Sequence, residues 1–244
     1  MSWININNTI NNHENHLLKY KTFIKELFVF SFIYISQAHL TAYRSRRVFM
    51  KLKGLKLGFG FTGSYCVFDQ VFPELQKLVD EGAEVVPVVS YQVAVTDSRY
   101  GKAKDFLKQM EDITGRTPIK TMADAESLNK FEKPIDMFII APCTGNSLSK
   151  LADGATDTPV LMLAKELFRN NKPVLLGIAT NDGLGISAKS IAALLNTKNV
   201  FFIPFGQDNY EEKPNSLVAK FELMVPSILK AMKHQQIQPI LEKY

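Results

Sequence analysis

Residues 55–64 read LKLGFGFTGS, and two incompatible structures can be written onto them. Gly58, Gly60 and Gly63 satisfy G-x-G-x-x-G, the loop that cradles the pyrophosphate of a dinucleotide. That loop needs its first glycine at a strand-to-helix turn and an acidic residue about 20 positions on, at the end of the second strand. Here the apolar pattern runs on through Gly58 and Gly60, which places both inside a strand. The next strand candidate ends at Ser90, with no Asp or Glu there. The glycine spacing is therefore coincidental. What remains is a strand over 55–62 that ends in F-T-G-S, with Thr62 and Gly63 at the turn and Ser64 opening a helix. Exposed N–H groups and a hydroxyl at a helix N-terminus suit one phosphate. A serine cap beside a turning glycine explains the same residues without a ligand.

Working outward from this strand, short β-branched apolar runs alternate with longer amphipathic stretches. The pattern predicts further strands over 83–90, 135–142, 173–180 and 199–205, and helices over 67–80, 103–114, 146–152, 159–170 and 187–197, with a last helix near 216–233. Strand–helix alternation implies βαβ units, so the expected fold is α/β with a doubly wound parallel sheet covered on both faces. Ligands of such sheets sit beyond the carboxyl ends of the strands, which makes each strand ending a candidate site.

Composition narrows the class. With 244 residues, 46% of them hydrophobic, the chain can bury a full core. Two cysteines, Cys66 and Cys143, do not make a disulfide scaffold and fit a reducing compartment. The four histidines, His13, His16, His39 and His234, all lie outside 50–230, so no zinc site of the usual donors is expected there and no metal is assigned. The net charge of +5 is concentrated in residues 1–49, where six Lys/Arg face two Asp/Glu; residues 50–244 carry only +1. A nucleic-acid-binding body is disfavoured on that distribution.

Residues 1–49 differ from the rest. They begin MSWININNTINNHENH and contain one apolar run, Leu27 to Ile35, far short of the about 20 residues a membrane span needs. No membrane association is expected. A signal peptide is the competing reading, since Ser36-Gln37-Ala38 resembles a cleavage site, although the preceding stretch is long for one. Residues 1–49 are expected to be a dispensable leader or the product of a start placed too far upstream, and residues 50–244 to form one domain beginning at Met50.

The third strand ending carries the most information. Residues 141–157, APCTGNSLSKLADGATD, resemble the P-A-S-A-N-T-x-x-K-x-A-x-G-x-x-D signature of the flavin-binding phosphopantothenoylcysteine decarboxylase family. Pro142, Asn146, Lys150, Ala152, Gly154 and Asp157 match, and Cys143, Thr144, Gly145 and Ser147 are small or hydroxyl substitutes. The F-T-G-S turn resembles the first phosphate loop of that family, and Ser90 stands where it commonly places a hydroxyl. An ordinary capped strand-to-helix turn is the alternative for 142–147.

The resemblance implies a three-layer, flavodoxin-like or Rossmann-like fold binding flavin mononucleotide (FMN), in trimer-based oligomers. Carried over by position, Thr62, Gly63, Ser64 and Ser90 would hold the phosphate, while Thr144, Asn146 and Ser147 would approach the ribityl chain or ring. Asn181, in A-T-N-D after the fourth strand, stands where the family has a substrate-contacting asparagine, and Lys150 and Asp157 join it as substrate-binding candidates. One departure matters: the histidine these decarboxylases use after the second strand has no counterpart in residues 91–105.

The remaining motifs, VVPVVSYQVAVTDSRYGKAKDF, IATNDGLG, FFIPFGQDN and KPNSLVAK, resemble one branch of that family, found in endospore-forming bacteria. The branch implies oxidation of dihydrodipicolinate to dipicolinate in the mother-cell cytoplasm, jointly with an A subunit that carries NAD(P). Such a partner would explain why no nicotinamide loop occurs here. A decarboxylase of a cysteinyl substrate, or a non-catalytic subunit with a vestigial flavin site, are the alternatives. A dianionic substrate needs cationic or N–H donors; Arg99, Lys102, Lys150 and Lys172 are candidates, each also readable as a solvated charge. Asp157 and Asp182 are candidates for proton transfer, and Cys143 either a nucleophile or a small buried residue. No catalytic residue is assigned.

Overall fold

The computed structural model describes residues 50–131 and 133–243; the leader expected over 1–49 lies outside them. The opening strand, β1 (Lys56–Phe61), is buried along its whole length, and its alternation of Gly and Phe sorts the two faces of the sheet. Phe59 and Phe61 point one way, and the Phe61 ring meets Phe68 and Phe72 of helix α1 (Phe68–Asp80), each at a centroid distance of 5.5 Å. Gly58 and Gly60 point the other way, towards Phe138 of β3 (Met137–Cys143) and helix α6 (Pro159–Arg169). A Cβ on Gly58 would stand 2.7 Å from the Phe138 ring and 3.2 Å from Leu163, and one on Gly60 would stand 2.8 Å from that ring and 3.0 Å from Val160. The two glycines are thus packing residues that let a helix settle onto the sheet.

β1 lies between β2 (Glu84–Val89) and β3, parallel to both, and β4 (Val174–Thr180) follows β3 in the same sense. The full order is β2-β1-β3-β4, then β7 (Leu217–Ala219) and β6 (Phe205–Gly206), with β5 (Val200–Phe202) also paired to β4. Helix α1 packs with α3 (Ala103–Thr114) and α8 (Met224–Ala231). On the other side, α6 packs with α4 (Met122–Phe131) and α5 (Gly145–Ala152), and α5 with α7 (Ala188–Leu195). The result is the expected three-layer α/β fold. Among the described residues no helix is long and apolar enough to cross a membrane.

The sheet departs from the expectation at one edge. β5 covers β4 only at Val174–Leu176, which leaves the backbone of Ala179 and Thr180 in need of another partner. The short strand β7 (Leu217–Ala219) supplies it, antiparallel, and β6 (Phe205–Gly206) pairs with β7. The expected strand 199–205 is therefore broken at Pro204, and the expected helix 216–233 is cut to Met224–Ala231. Helix α4 and the five-residue α2 (Tyr91–Val95) are additional. Among the described side chains of α4 only Ala125 and Leu128 are buried, too weak an apolar stripe to read as a helix.

Candidate functional site

The connection from β1 to α1 and that from β3 to α6 leave opposite faces, so the strand order switches between β1 and β3, where ligands of open α/β sheets bind. Thr62 sits at that point and is 2% exposed. Its hydroxyl donates to the Pro142 carbonyl at 2.7 Å and accepts from the Thr144 N–H at 3.0 Å. Pro142, which has no N–H to give a ladder, lies in the stretch where β3 shifts register between Ile140 and Cys143. Thr62 thus ties the two loops across the switch point. Ser64 makes a second tie: its hydroxyl donates to the Ala179 carbonyl of β4 at 2.8 Å and makes no cap bond to the 3₁₀ turn Tyr65–Val67 that follows. The helix expected to open at Ser64 begins as that turn. Donors for an anion in this loop would be its first backbone N–H groups, which have no intrahelical acceptors.

Gly63 lies under the Gln92 side chain, whose Cγ would be 3.4 Å from a Cβ at that position. Ser90 ends β2 and caps α2, accepting from Val93 N–H at 3.4 Å, while its own N–H donates to Phe61 O at 3.0 Å. The cap uses a lone pair of Ser90 and not its hydroxyl hydrogen. Tyr65 closes this side of the crevice, its hydroxyl donating to Gln92 O at 2.9 Å, and burial raises its pKa.

On the β3 side, Thr144 is the N-cap of α5. Its hydroxyl oxygen accepts from Ser147 N–H at 3.2 Å and its hydrogen goes to the Ser147 hydroxyl at 3.0 Å. Asn146, in the first turn, is exposed, as is Asn181 just past β4. These two amides face solvent beside the crevice. Gly145 is under tighter constraint: a Cβ there would lie 2.7 Å from Ser187 Oγ, 2.7 Å from Thr180 Oγ1 and 2.9 Å from Asp182 Oδ1. Those three residues form a polar knot in which Thr180 and Ser187 both donate to Asp182 Oδ1, the latter at 2.8 Å. The Thr180 bond, followed by that of Ser187 and against partial burial, holds the Asp182 carboxyl below its usual range.

The remaining candidates separate. Lys150 and Asp157 form an ion pair with each other at 2.5 Å, so their charges are mutually engaged. Lys172 precedes β4, at the amino end of the sheet, and donates to Ile135 O. Arg99 lies on the neighbouring Tyr100 ring, 4.8 Å from its centroid. Lys102 is the residue before α3 and is exposed. Cys143 is fully buried and its thiol pKa is pushed far above the ordinary value by desolvation, which removes it as a nucleophile. Thr180 and Ser187 are not legible as site residues in the sequence: each acquires its role from a contact with the start of α5 that no local pattern encodes.

Backbone amides, small hydroxyl residues and two exposed carboxamides, gathered at the switch point of a 2-1-3-4 parallel sheet, define a class. The chain matches the family described as Flavoprotein over residues 45–222, and it belongs to that family. Within it, the chain is similar to the B subunit of dipicolinate synthase from Bacillus subtilis (strain 168), with 53% identity over 190 residues that cover 78% of this chain and 94% of that protein. The crystal structure of the dipicolinate synthase B subunit from Bacillus halodurans C shares 45% identity and a TM-score of 0.72, covering 79% of this chain and 98% of its own. Burkholderia xenovorans DmrB in complex with FMN, described as a cubic protein cage for redox transfer, shares the fold at 14% identity and a TM-score of 0.55, over 73% of this chain and 96% of its own.

Proposed function

We propose that this chain is the B subunit of a dipicolinate synthase, an oxidoreductase of sporulation that acts in the mother-cell cytoplasm with the dipicolinate synthase A subunit. The observation that carries the reading is the 53% identity extending over 94% of the Bacillus subtilis protein. The reaction removes a hydride and a proton from the ring of dihydrodipicolinate, and NAD(P) on the A subunit is the hydride acceptor. This chain contributes the crevice between β1 and β3. Asn146 and Asn181 hold the planar ring through their amides, and the capped start of α5 keeps Asn146 in place. The candidate cations here are engaged elsewhere or remote, apart from exposed Lys102, so the dicarboxylate draws its neutralising charge largely from the partner. Coexpression of the two subunits should yield dipicolinate, measured by its ultraviolet absorbance. A complex that forms and makes none would end this reading.

FMN belongs to the same proposal. The N–H groups of Gly63, Tyr65 and Cys66 and the Ser90 hydroxyl fit its phosphate, with Thr144, Asn146 and Ser147 along the ribityl chain or ring; bound there, it would supply reversible electron transfer. A vestigial flavin site is favoured by one specific observation, that the hydroxyl hydrogens of Thr62 and Ser64 go to backbone carbonyls. Titration with FMN decides between the two: uptake that Ser64→Asp abolishes, by setting a carboxylate against the phosphate, supports the working site, and no uptake by the native chain supports the vestigial one. The decarboxylase reading lacks its acid–base group. The one histidine among the described residues, His234, contacts Asn199 ahead of β5, at the amino end of the sheet.

A further inference from the structure

The loop between β4 and α7 is held rigidly and still presents aliphatic side chains to water. Leu184 N–H donates to Asn215 O at 3.0 Å, Gly185 N–H to Asp182 O at 2.9 Å, Ser187 N–H to the same carbonyl at 3.2 Å and Ala188 N–H to Gly185 O at 3.1 Å. Gly183 is buried where a Cβ would stand 2.7 Å from Leu217, and the Asp182 side chain is fixed by Thr180 and Ser187. On this fixed frame Ile186 is 72% and Leu184 52% exposed. A loop that only connected two elements would gain by placing polar residues there; an ordered loop that offers branched aliphatics to solvent is arranged to bury them against something else.

The neighbouring surface adds charge. Segment 207–216, joining β6 to β7, touches the loop through Asn215 and is itself tied by Gln207 Nε2 to Pro214 O at 2.8 Å and Asn209 Nδ2 to Glu212 Oε2 at 2.9 Å. It presents Tyr210, 66% exposed, with Asp208, Glu211 and Glu212 around it. Within residues 181–189 and 207–216 the acids Asp182, Asp208, Glu211 and Glu212 outnumber the lysines, Lys189 and Lys213, two to one, although residues 50–244 as a whole are slightly basic. The loop is apolar where it is exposed, and the segment that touches it is acidic. Two copies of the chain meeting across a two-fold axis here would set acids on acids, since such a contact joins a patch to itself.

We propose that the loop 181–187 and the segment 207–216 form the docking face for the nicotinamide-binding partner subunit, which presents lysine or arginine around an apolar patch. The inference rests on the function proposed above, and it places the partner at the lip of the crevice, because Asp182 and Ser187 also line the start of α5. Basic residues drawn to this face would bring the positive charge that the dicarboxylate needs.

The test uses the full chain coexpressed with the partner, with affinity read by calorimetry and size by light scattering. Ile186→Asp should weaken association at least tenfold, and Ile186→Ser by a smaller factor, with melting temperatures unchanged because the side chain lies outside the core. The double change Glu211→Lys with Glu212→Lys should slow association and flatten its dependence on salt. Leu195→Asp, exposed at the far end of α7, should leave association as it is. Native affinity in Ile186→Asp would overturn the inference, as would a change confined to the size of this chain alone, which would assign the face to further copies. A native chain that does not associate with the partner at all would remove the proposed function, and the inference with it.

Discussion

The turn after β1 and the turn after β3 are made from the same kinds of residue, a threonine, a glycine and a serine, and they use their hydroxyls in opposite ways. Thr144 spends its side chain within one turn of its own helix, on Ser147. Thr62 and Ser64 reach 80 and 115 residues along the chain, to Pro142 and Ala179. One loop is a cap and the other is a pair of latches between strands. The same side chain therefore contributes local helix stability in one place and tertiary closure in the other.

The largest expected effect tests the latch. Thr62→Val keeps the shape and leaves both the Pro142 carbonyl and the Thr144 N–H without a partner at a buried point; at about 1 to 3 kcal/mol for each orphaned group, the loss should be about 2 to 6 kcal/mol. Denaturant unfolding measures it, and a loss under about 1 kcal/mol would erase the distinction between the two loops. Next comes the crevice. Asn146→Ala or Asn181→Ala should lower dipicolinate formation by the paired subunits at least about tenfold, the worth of one oriented hydrogen bond, with the melting temperature almost unchanged because both amides are exposed. A collapse in stability would make them structural caps; full activity in both would move the site elsewhere.

Smaller effects sharpen the contrast. Thr144→Ala removes an N-cap and should cost about 1 kcal/mol in the same unfolding measurement, well below Thr62→Val. The smallest effect concerns pH. The Asp182 carboxyl is held below its unfolded value, which lies near about 4, chiefly by the Thr180 hydroxyl. Its contribution to stability is thus complete above about pH 4 and is lost as pH falls through the lowered folded value. The native chain should lose its advantage over Asp182→Asn within that acid window; a difference that persists unchanged to the lowest pH would show that the carboxylate charge is not what the two hydroxyls stabilise.

The same contrast explains how much of the molecule is legible in its sequence. The four parallel strands of the sheet centre and the helices α1, α3, α5 and α6 carry their own periodicity, and the N-caps Ser90 and Thr144 lie within three residues of the groups they satisfy. The family signature in 141–157 draws on that local order too. The β6–β7 edge is not legible, because Leu217–Ala219 is a strand only by virtue of the free backbone that β4 offers beyond β5. The latch roles of Thr62 and Ser64 are equally hidden: the residues resemble a phosphate loop, but whether a hydroxyl turns outward to a ligand or inward to a carbonyl is decided by strands far away in sequence. Asp182 stands out as a carboxylate, while Thr180 and Ser187, which orient it, have nothing to mark them.

Gly145 carries a consequence for how this chain can vary. With Ser187, Thr180 and Asp182 oxygens all inside 3 Å of any side chain placed there, the start of α5 and the loop beyond β4 cannot drift independently through substitution. A relative with alanine at the position equivalent to Gly145 must also have altered the arrangement of at least one of the other three, by a rotated side chain, a smaller residue or a displaced loop. Across many relatives the four positions should change as a set, and a lineage that breaks the set should be one in which the crevice has taken up different chemistry.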